Sequence, residues 1–521
     1  MRLIKLNMND DYNDKIIIFI LMLYFFYMAA VIGTIDITRV NKFFVDDSYY
    51  YLVMARNILE GYGATFDKIN PTNGYHPLWL IILTIIYWPF WPFTPEFGQL
   101  LVFATGITIV ISGALLFLNL IRRFKVLYHF EIPFLIVWIT IVGFQHFGLE
   151  THMQVLLAGL FLSQAWKCWD DISPSQNIIL GIAGSLLVLA RLDSMLLVLC
   201  ILMVLLLHRV LYNKKVKFAL WDLFFTLLPL FTLVGGYFLY NKINFGHWTT
   251  ISSSLKMGTF GPKFALWHDF TIGIWARFAV LFGLSCMTLG IADSHLRHGV
   301  YNFWGSRSAF VTAIAISVMS YCFLMLFLIT DGLGSWYFTL PLVICLLMFV
   351  IELTNVSDRF KLVSQNLTRF SALISVIFLS LSILLAMRNW PSVSFYDASE
   401  FKKKLATHIN DKTIVFQVDR CGTMAWFNEC RLINGDGVMS SWEYQTYISK
   451  RRVTDFLDIK KVEFIIDTYP PDKNGIIWIK AQEWGPKERR EFPILGFRET
   501  DALITIGDTR LFRYPGNSFK P

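Results

Sequence analysis

The sequence predicts a mainly α protein, a polytopic helical membrane module followed by a C-terminal soluble α/β domain. Three observations predict it. The 521 residues are 55% hydrophobic and only 16% charged, where an ordinary soluble chain is nearer a quarter charged. Apolar runs of about 20 residues recur, the length a helix needs to cross a bilayer. After Arg388 the chain turns into mixed polar and apolar sequence with short β-rich runs.

The apolar segments lie at roughly 16–35, 78–93, 98–120, 131–146, 152–167, 177–190, 194–209, 220–240, 270–291, 308–329, 336–353 and 371–388. The first is long enough to span and lacks a short apolar core followed by a small-residue cleavage site, so it reads as a signal anchor. The second carries Pro89, Pro92 and Pro95 in a short run and reads as a shallow or broken helix. Residues 1–389 form the membrane module. In 390–521, the runs Thr413–Val418, Val462–Ile466 and Leu503–Ile506 read as strands of an α/β domain.

Positive residues set the orientation. The net charge is +8, from 46 Lys and Arg against 38 Asp and Glu. Arg122, Arg123 and Lys125, then Arg209 with Lys214, Lys215 and Lys217, then Arg297 with Arg307, and finally Arg359, Lys361 and Arg369 mark cytoplasmic loops. That leaves loop 36–77, Gly148–Thr151, Arg191–Asp193, Asn241–Lys256, Asp331–Ser335 and the C-terminal domain outside, with eleven net crossings. No contiguous basic face argues for nucleic acid. A transporter or lipid flippase would need charges reaching both sides and inverted pairs of broken helices, which are not evident. A receptor would leave the acids of loop 36–77 unexplained. Five cysteines lie in or beside apolar runs and read as small apolar residues. Cys421 and Cys430 lie close together in the outer domain and are a disulfide candidate.

The polar groups that membrane helices avoid fall on this one outer side. Loop 36–77 carries Asp46, Asp47, Arg56 and His76. Glu150 follows in the next outer turn. Arg191 and Asp193 interrupt an apolar stretch, and His247 and Lys256 lie in the loop beyond. Ionisable groups at membrane depth are costly and mark functional sites. Each also has a plain structural reading. Asp46 or Asp47 can cap the helix that begins at Ser48, and Glu150 the helix that follows it. Arg191 and Asp193 can form an ion pair, and Lys256 and His247 can be interfacial. Their convergence on one face is the stronger signal. Metalloprotease, Walker-type and nucleophile-elbow motifs are absent.

In order along the chain, Asp46-Asp47-Ser48-Tyr49, Ala55-Arg56-Asn57, Glu60-Gly61-Tyr62-Gly63 and Gly74-Tyr75-His76-Pro77-Leu78-Trp79 resemble the first outer loop of the GT-C superfamily of polyprenyl-phosphate-sugar-dependent glycosyltransferases. Within it, the pattern is most similar to the branch of mycobacterial terminal arabinofuranosyltransferases. Gly148-Leu149-Glu150-Thr151, Leu189–Ser194 and Phe245–Lys256 resemble later motifs of that branch. His76 stands where the family has a small polar residue, and Leu192 stands for a proline. Thr249-Thr250-Ile251 replaces a Pro-Asn stretch.

The resemblance implies a GT-C-type fold and a lipid-linked donor entering from the bilayer. The donor sugar would be a pentofuranose such as arabinofuranose, with a hexose or aminosugar as the alternative. The acceptor would be a glycan, glycolipid or protein at the periplasmic face of a bacterial inner membrane. It assigns the general base to Asp46. Asp47 would bind a sugar or acceptor hydroxyl, or a divalent metal ion. Arg56, Arg191 and Lys256, with His76 beside them, would hold the phosphate. Glu150, Asp193 and His247 complete the expected substrate site.

Overall fold

In the computed structural model, the described residues are 10–359 and 402–521, apart from 35–36, 125–129, 171–172, 213–215, 264–266, 269, 298–306, 331–332, 429, 485–488 and 517. The apolar segment 371–388 and the boundary near 389 lie outside them. So do Lys125, Lys214, Lys215, Lys361 and Arg369.

Every other expected apolar segment is helical. The first helices are α1 (Asp10–Gly33), α2 (Asp46–Leu59), α3 (Pro77–Tyr87), α4 (Pro95–Arg123), α5 (Glu131–Val142) and α6 (Thr151–Asp170). There follow α7 (Pro174–Ala190), α8 (Met195–Leu207), α9 (Val216–Leu230), α10 (Gly236–Phe245), α11 (Ile272–Arg297), α12 (Arg307–Phe327) and α13 (Thr339–Arg359). Among the described residues, six helical stretches are long and apolar enough to cross a membrane, and the protein is an integral membrane protein. Lipid-facing side chains such as Phe26, Phe231 and Ile243 are exposed, as expected where the solvent is itself apolar.

The proline-rich second segment folds as the 11-residue helix α3 followed by a 3₁₀ turn at Trp88–Phe90. At 1.5 Å per residue, α3 reaches about half of a ~30 Å hydrocarbon core. Helix α4 starts cleanly, with Pro95 in its first turn and Thr94 accepting from the Phe97 amide. Arg122 and Arg123 close its last turn, where a helix favours cations. At the far end of α8, Arg209 pairs with Asp222 at 3.2 Å, and Asn177 donates to the same carboxylate at 2.7 Å. This buried network ties α7, α8 and α9 together.

The C-terminal domain is built on a five-stranded sheet of order β2-β1-β3-β7-β6. Its strands are β1 (Ile414–Gln417), β2 (Arg431–Asn434), β3 (Phe464–Asp467), β6 (Ile504–Ile506) and β7 (Thr509–Arg513). β1, β2 and β3 run parallel, and β7 and β6 are antiparallel. A separate hairpin joins β4 (Ile476–Trp484) and β5 (Arg489–Arg498). All three strands expected from sequence form. Helix α14 (Cys421–Phe427) connects β1 to β2, and α15 (Trp442–Ser449) and α16 (Val453–Ile459) lead on to β3.

The expected disulfide does not form, because Cys421 and Cys430 are both buried free thiols. The seven residues of α14 begin at Cys421 and end short of Cys430. That helix holds the two apart by roughly 10 Å, beyond the ~7 Å limit for a disulfide's Cα atoms. Cys421 instead donates to the Gln417 carbonyl at 3.0 Å.

Candidate active site

The site lies where α2 meets the C-terminal domain. Helix α14 lacks a local cap: its N-cap residue, Arg420, has φ of 57° and makes no side-chain capping bond. The orphan amides are satisfied from a distant part of the chain. Asp46 accepts from the Gly422 amide at 3.0 Å, the Thr423 amide at 2.8 Å and the Thr423 hydroxyl at 2.6 Å. At the other end, Arg56 donates to the Ala425 and Trp426 carbonyls at 2.9 and 3.0 Å and lies over the Trp426 ring. Helices α2 and α14 thus lie side by side, with the acid at the amino end and the cation at the carboxyl end of α14, as the helix dipole favours.

Two residues expected at the site thus lie beside α14 instead. Asp46 was expected as the base and Arg56 as a phosphate ligand, but both are committed to α14 and neither lines the cavity described below. Asp46 is a cap, of another helix than its own. Burial pushes its carboxyl up to about 6, with the charge of Asp47 adding and the Thr423 and Gly422 donors pulling it back. Asp46→Ala should expose or orphan these donors and cost about 1–2 kcal/mol, the range of a lost cap. Hydrogen exchange at Gly422 and Thr423 should quicken. Unchanged protection there would remove Asp46 from the seam.

Asp47 points to the other side. It lines a cavity of about 340 Å³ together with His76, Glu150, Arg191, Asp193 and Lys256. Of the residues expected at the site, those six are brought together. His247 is not; it stacks on Trp442 with ring centroids 3.6 Å apart and closes the seam outside the cavity.

The inner wall is an ion network. Arg191 is 3% exposed. It donates from Nε to Asp193 at 3.0 Å and from Nη1 to Glu150 at 3.3 Å. Tyr321 donates to Asp193 at 3.3 Å, and the Tyr337 ring lies under the Arg191 guanidinium. Lys256 reaches the Tyr337 hydroxyl at 3.5 Å. His76 lies 3.8 Å from Glu150, which is no hydrogen bond. Nor is it an ion pair at neutral pH, since burial, with Arg191 and Lys256 nearby, lowers the imidazole to about 3. Two carboxylates therefore balance Arg191, and Lys256 adds a positive charge at the rim. Leu192, Met195, Leu196, Leu324, Leu328 and Ile329 supply an apolar wall from the α8 and α12 region.

Sequence reasoning missed Asp436, Thr423, Tyr321, Tyr337 and Asn73. Asp436 follows β2 in Asn434-Gly435-Asp436-Gly437, at the carboxyl end of a parallel strand, where α/β sheets place ligand-binding loops. That position was a usable signal. It accepts from the Tyr50 hydroxyl at 3.0 Å and the Val438 amide at 2.7 Å. Burial pushes Asp436 up to about 6, the Val438 amide opposing and Asp47 adding. Tyr321 and Tyr337 lie in apolar helical sequence that carries no such signal. Among the described residues, no group of three or more His, Cys, Asp or Glu side chains could hold a metal ion.

No protein-family model matches the chain, and no curated protein matches it. Solved structures do. ArnT from Cupriavidus metallidurans bound to undecaprenyl phosphate is 11% identical with a TM-score of 0.52, over 90% of this chain and 96% of that one. The archaeal oligosaccharyltransferase AglB from Archaeoglobus fulgidus, in complex with an inhibitory peptide and a dolichol-phosphate, is 10% identical with a TM-score of 0.45, over 84% and 69%. The A. fulgidus oligosaccharyltransferase tethered to an acceptor peptide is 12% identical with a TM-score of 0.48, over 85% and 69%. At such identities the likeness to ArnT speaks for the fold alone. The chain thus shares its overall fold with ArnT: a polytopic helical membrane fold carrying a C-terminal β-sheet domain.

Proposed function

We propose that the protein is a membrane glycosyltransferase that moves a sugar from a polyprenyl phosphate to an acceptor hydroxyl. One observation carries this. A single cavity is lined by the carboxylate of Asp47, by the cations Arg191 and Lys256 and by an apolar flank. A lipid-phosphate sugar needs those three surfaces: apolar for the prenyl chain, cationic for the phosphate, and a base where the acceptor enters. The fold shared with a structure that holds undecaprenyl phosphate supports the same reading.

In this mechanism the acceptor oxygen attacks the anomeric carbon as the bond from that carbon to the phosphate oxygen breaks. The electron pair leaves with the phosphate, whose charge Lys256 and Arg191 stabilise. The acceptor's proton passes to Asp47. A hydroxyl is a poor nucleophile at neutral pH, so the positioned carboxylate matters. Arg191, locked by Glu150 and Asp193, is the fixed cation; Lys256, on the short helix Ile251–Lys256, is the one nearer the rim. Following the outer-loop motif, the donor is a polyprenyl-phosphate pentofuranose such as arabinofuranose. A hexose or aminosugar is the alternative. The acceptor is a glycan, glycolipid or protein on the periplasmic side.

The test is retention of undecaprenyl phosphate against undecaprenol by the purified protein in native mass spectrometry. The phosphate form should be retained preferentially. Lys256→Ala should weaken it about 10–100-fold, since a hydrogen bond to a charged group is worth about 1.5–3 kcal/mol. Equal retention of the two lipids would overturn the proposal.

A further inference from the structure

We infer that the C-terminal domain completes the catalytic site, with Asp436 acting through Tyr50 as a positioning residue for the catalytic base Asp47. This rests on the transferase reading above and deepens it.

The two parts of the chain meet at backbone contact, not merely through side chains. A Cβ on Gly74, in the outer loop, would collide with the Val438 carbonyl of the C-terminal domain. A Cβ on Gly422, in the C-terminal domain, would collide with the Asp46 carbonyl of α2. One glycine from each side thus permits a single close seating. Asn73 fixes the same seam, accepting from the Trp442 indole at 3.2 Å and from the Ile251 amide at 3.1 Å.

Within that seating, the loop after β2 reaches the cavity. Val438 and Met439 line it, beside Asp47, Tyr50 and Tyr51 of α2. The Tyr50 hydroxyl donates to Asp436 at 3.0 Å and accepts from Asn434 at 3.3 Å. Its ring packs edge-on against Phe66. Tyr50 lies one turn along α2 from Asp47, so fixing its hydroxyl fixes the rotation of the helical turn that carries the acid. The charge of Asp47 adds to the upward shift that burial gives Asp436. A loop that only joined two modules would not need a carboxylate there, since like charges repel.

Misplacement of a reacting group by about 1 Å can cost on the order of 10²-fold in rate. The experiment uses the full-length protein and a panel of undecaprenyl-phosphate sugars (arabinofuranose, mannose and glucose), with envelope glycan from the expression host as acceptor. Asp436→Ala should slow single-turnover transfer about 10–100-fold while retention of undecaprenyl phosphate stays within twofold. Asp436→Asn keeps an acceptor for Tyr50 and should recover much of the rate. Tyr50→Phe should not add to Asp436→Ala, because both break one link. Three results would overturn the inference alone: transfer unaffected by Asp436→Ala, additive losses in the double variant, or equal losses of transfer and lipid retention. A wild-type protein that neither retains undecaprenyl phosphate nor transfers from any panel member would overturn the transferase reading and the inference together.

Discussion

Asp47→Asn is expected to abolish most transfer and leave the protein folded. The amide keeps the size and polarity of the carboxylate, and it can still sit in the first turn of α2. It cannot take a proton from the acceptor. Loss of a general base costs on the order of 10²–10⁴ in rate. Retention of undecaprenyl phosphate should not fall, because removing a negative charge from the cavity cannot disfavour an anion. Asp46→Asn is the control. It disturbs the cap of α14 and should lower stability more than rate. Single-turnover transfer by the two variants checks both statements. If Asp46→Asn lost more rate than Asp47→Asn, the base would return to Asp46 and the placement of α14 would need another explanation.

Arg191→Ala is expected to have the largest effect on stability. The guanidinium is nearly inaccessible and pairs with both Glu150 and Asp193. Removing it leaves two carboxylates facing each other without a counter-charge. Breaking one partner out of a buried ion pair costs about 3–5 kcal/mol. The purified variant should therefore unfold at clearly lower temperature in detergent and should also lose undecaprenyl phosphate. Arg191→Ala combined with Glu150→Gln should regain part of the stability, since one orphaned charge is gone, but not the lipid phosphate. A double variant no more stable than the single would show that Glu150 is not a partner of Arg191 in solution. Lys256→Ala should behave differently, losing lipid phosphate with little loss of stability, because its ammonium lies nearer the rim.

These two outcomes turn on facts of different legibility. The membrane helices were readable because burial in lipid requires long apolar runs, and all that fall among the described residues formed. The shallow second segment was readable from its prolines, which remove amide donors and stop a helix early. The strands at 414–417, 464–467 and 504–506 were readable from short β-branched and aromatic runs. The cluster of Asp47, His76, Glu150, Arg191, Asp193 and Lys256 was readable as a cluster, because charge is expensive at membrane depth and all of it fell on one side.

What the sequence by itself determined is therefore the kind of protein and the roster of its polar groups: apolar length and charge avoidance act locally along the chain and leave a local record. Which of two adjacent acids faces the cavity was decided only by the tertiary structure. Successive residues on a helix point about 100° apart, so Asp46 and Asp47 must face different neighbours. Those neighbours come from residues nearly 400 positions away for Asp46, where α14 needs a cap, and from the cavity for Asp47. The same long-range closure turned Arg56 into a clamp and paired Asp436 with Tyr50. Neither pairing leaves a local pattern, because each depends on a partner whose distance in sequence carries no periodic signal.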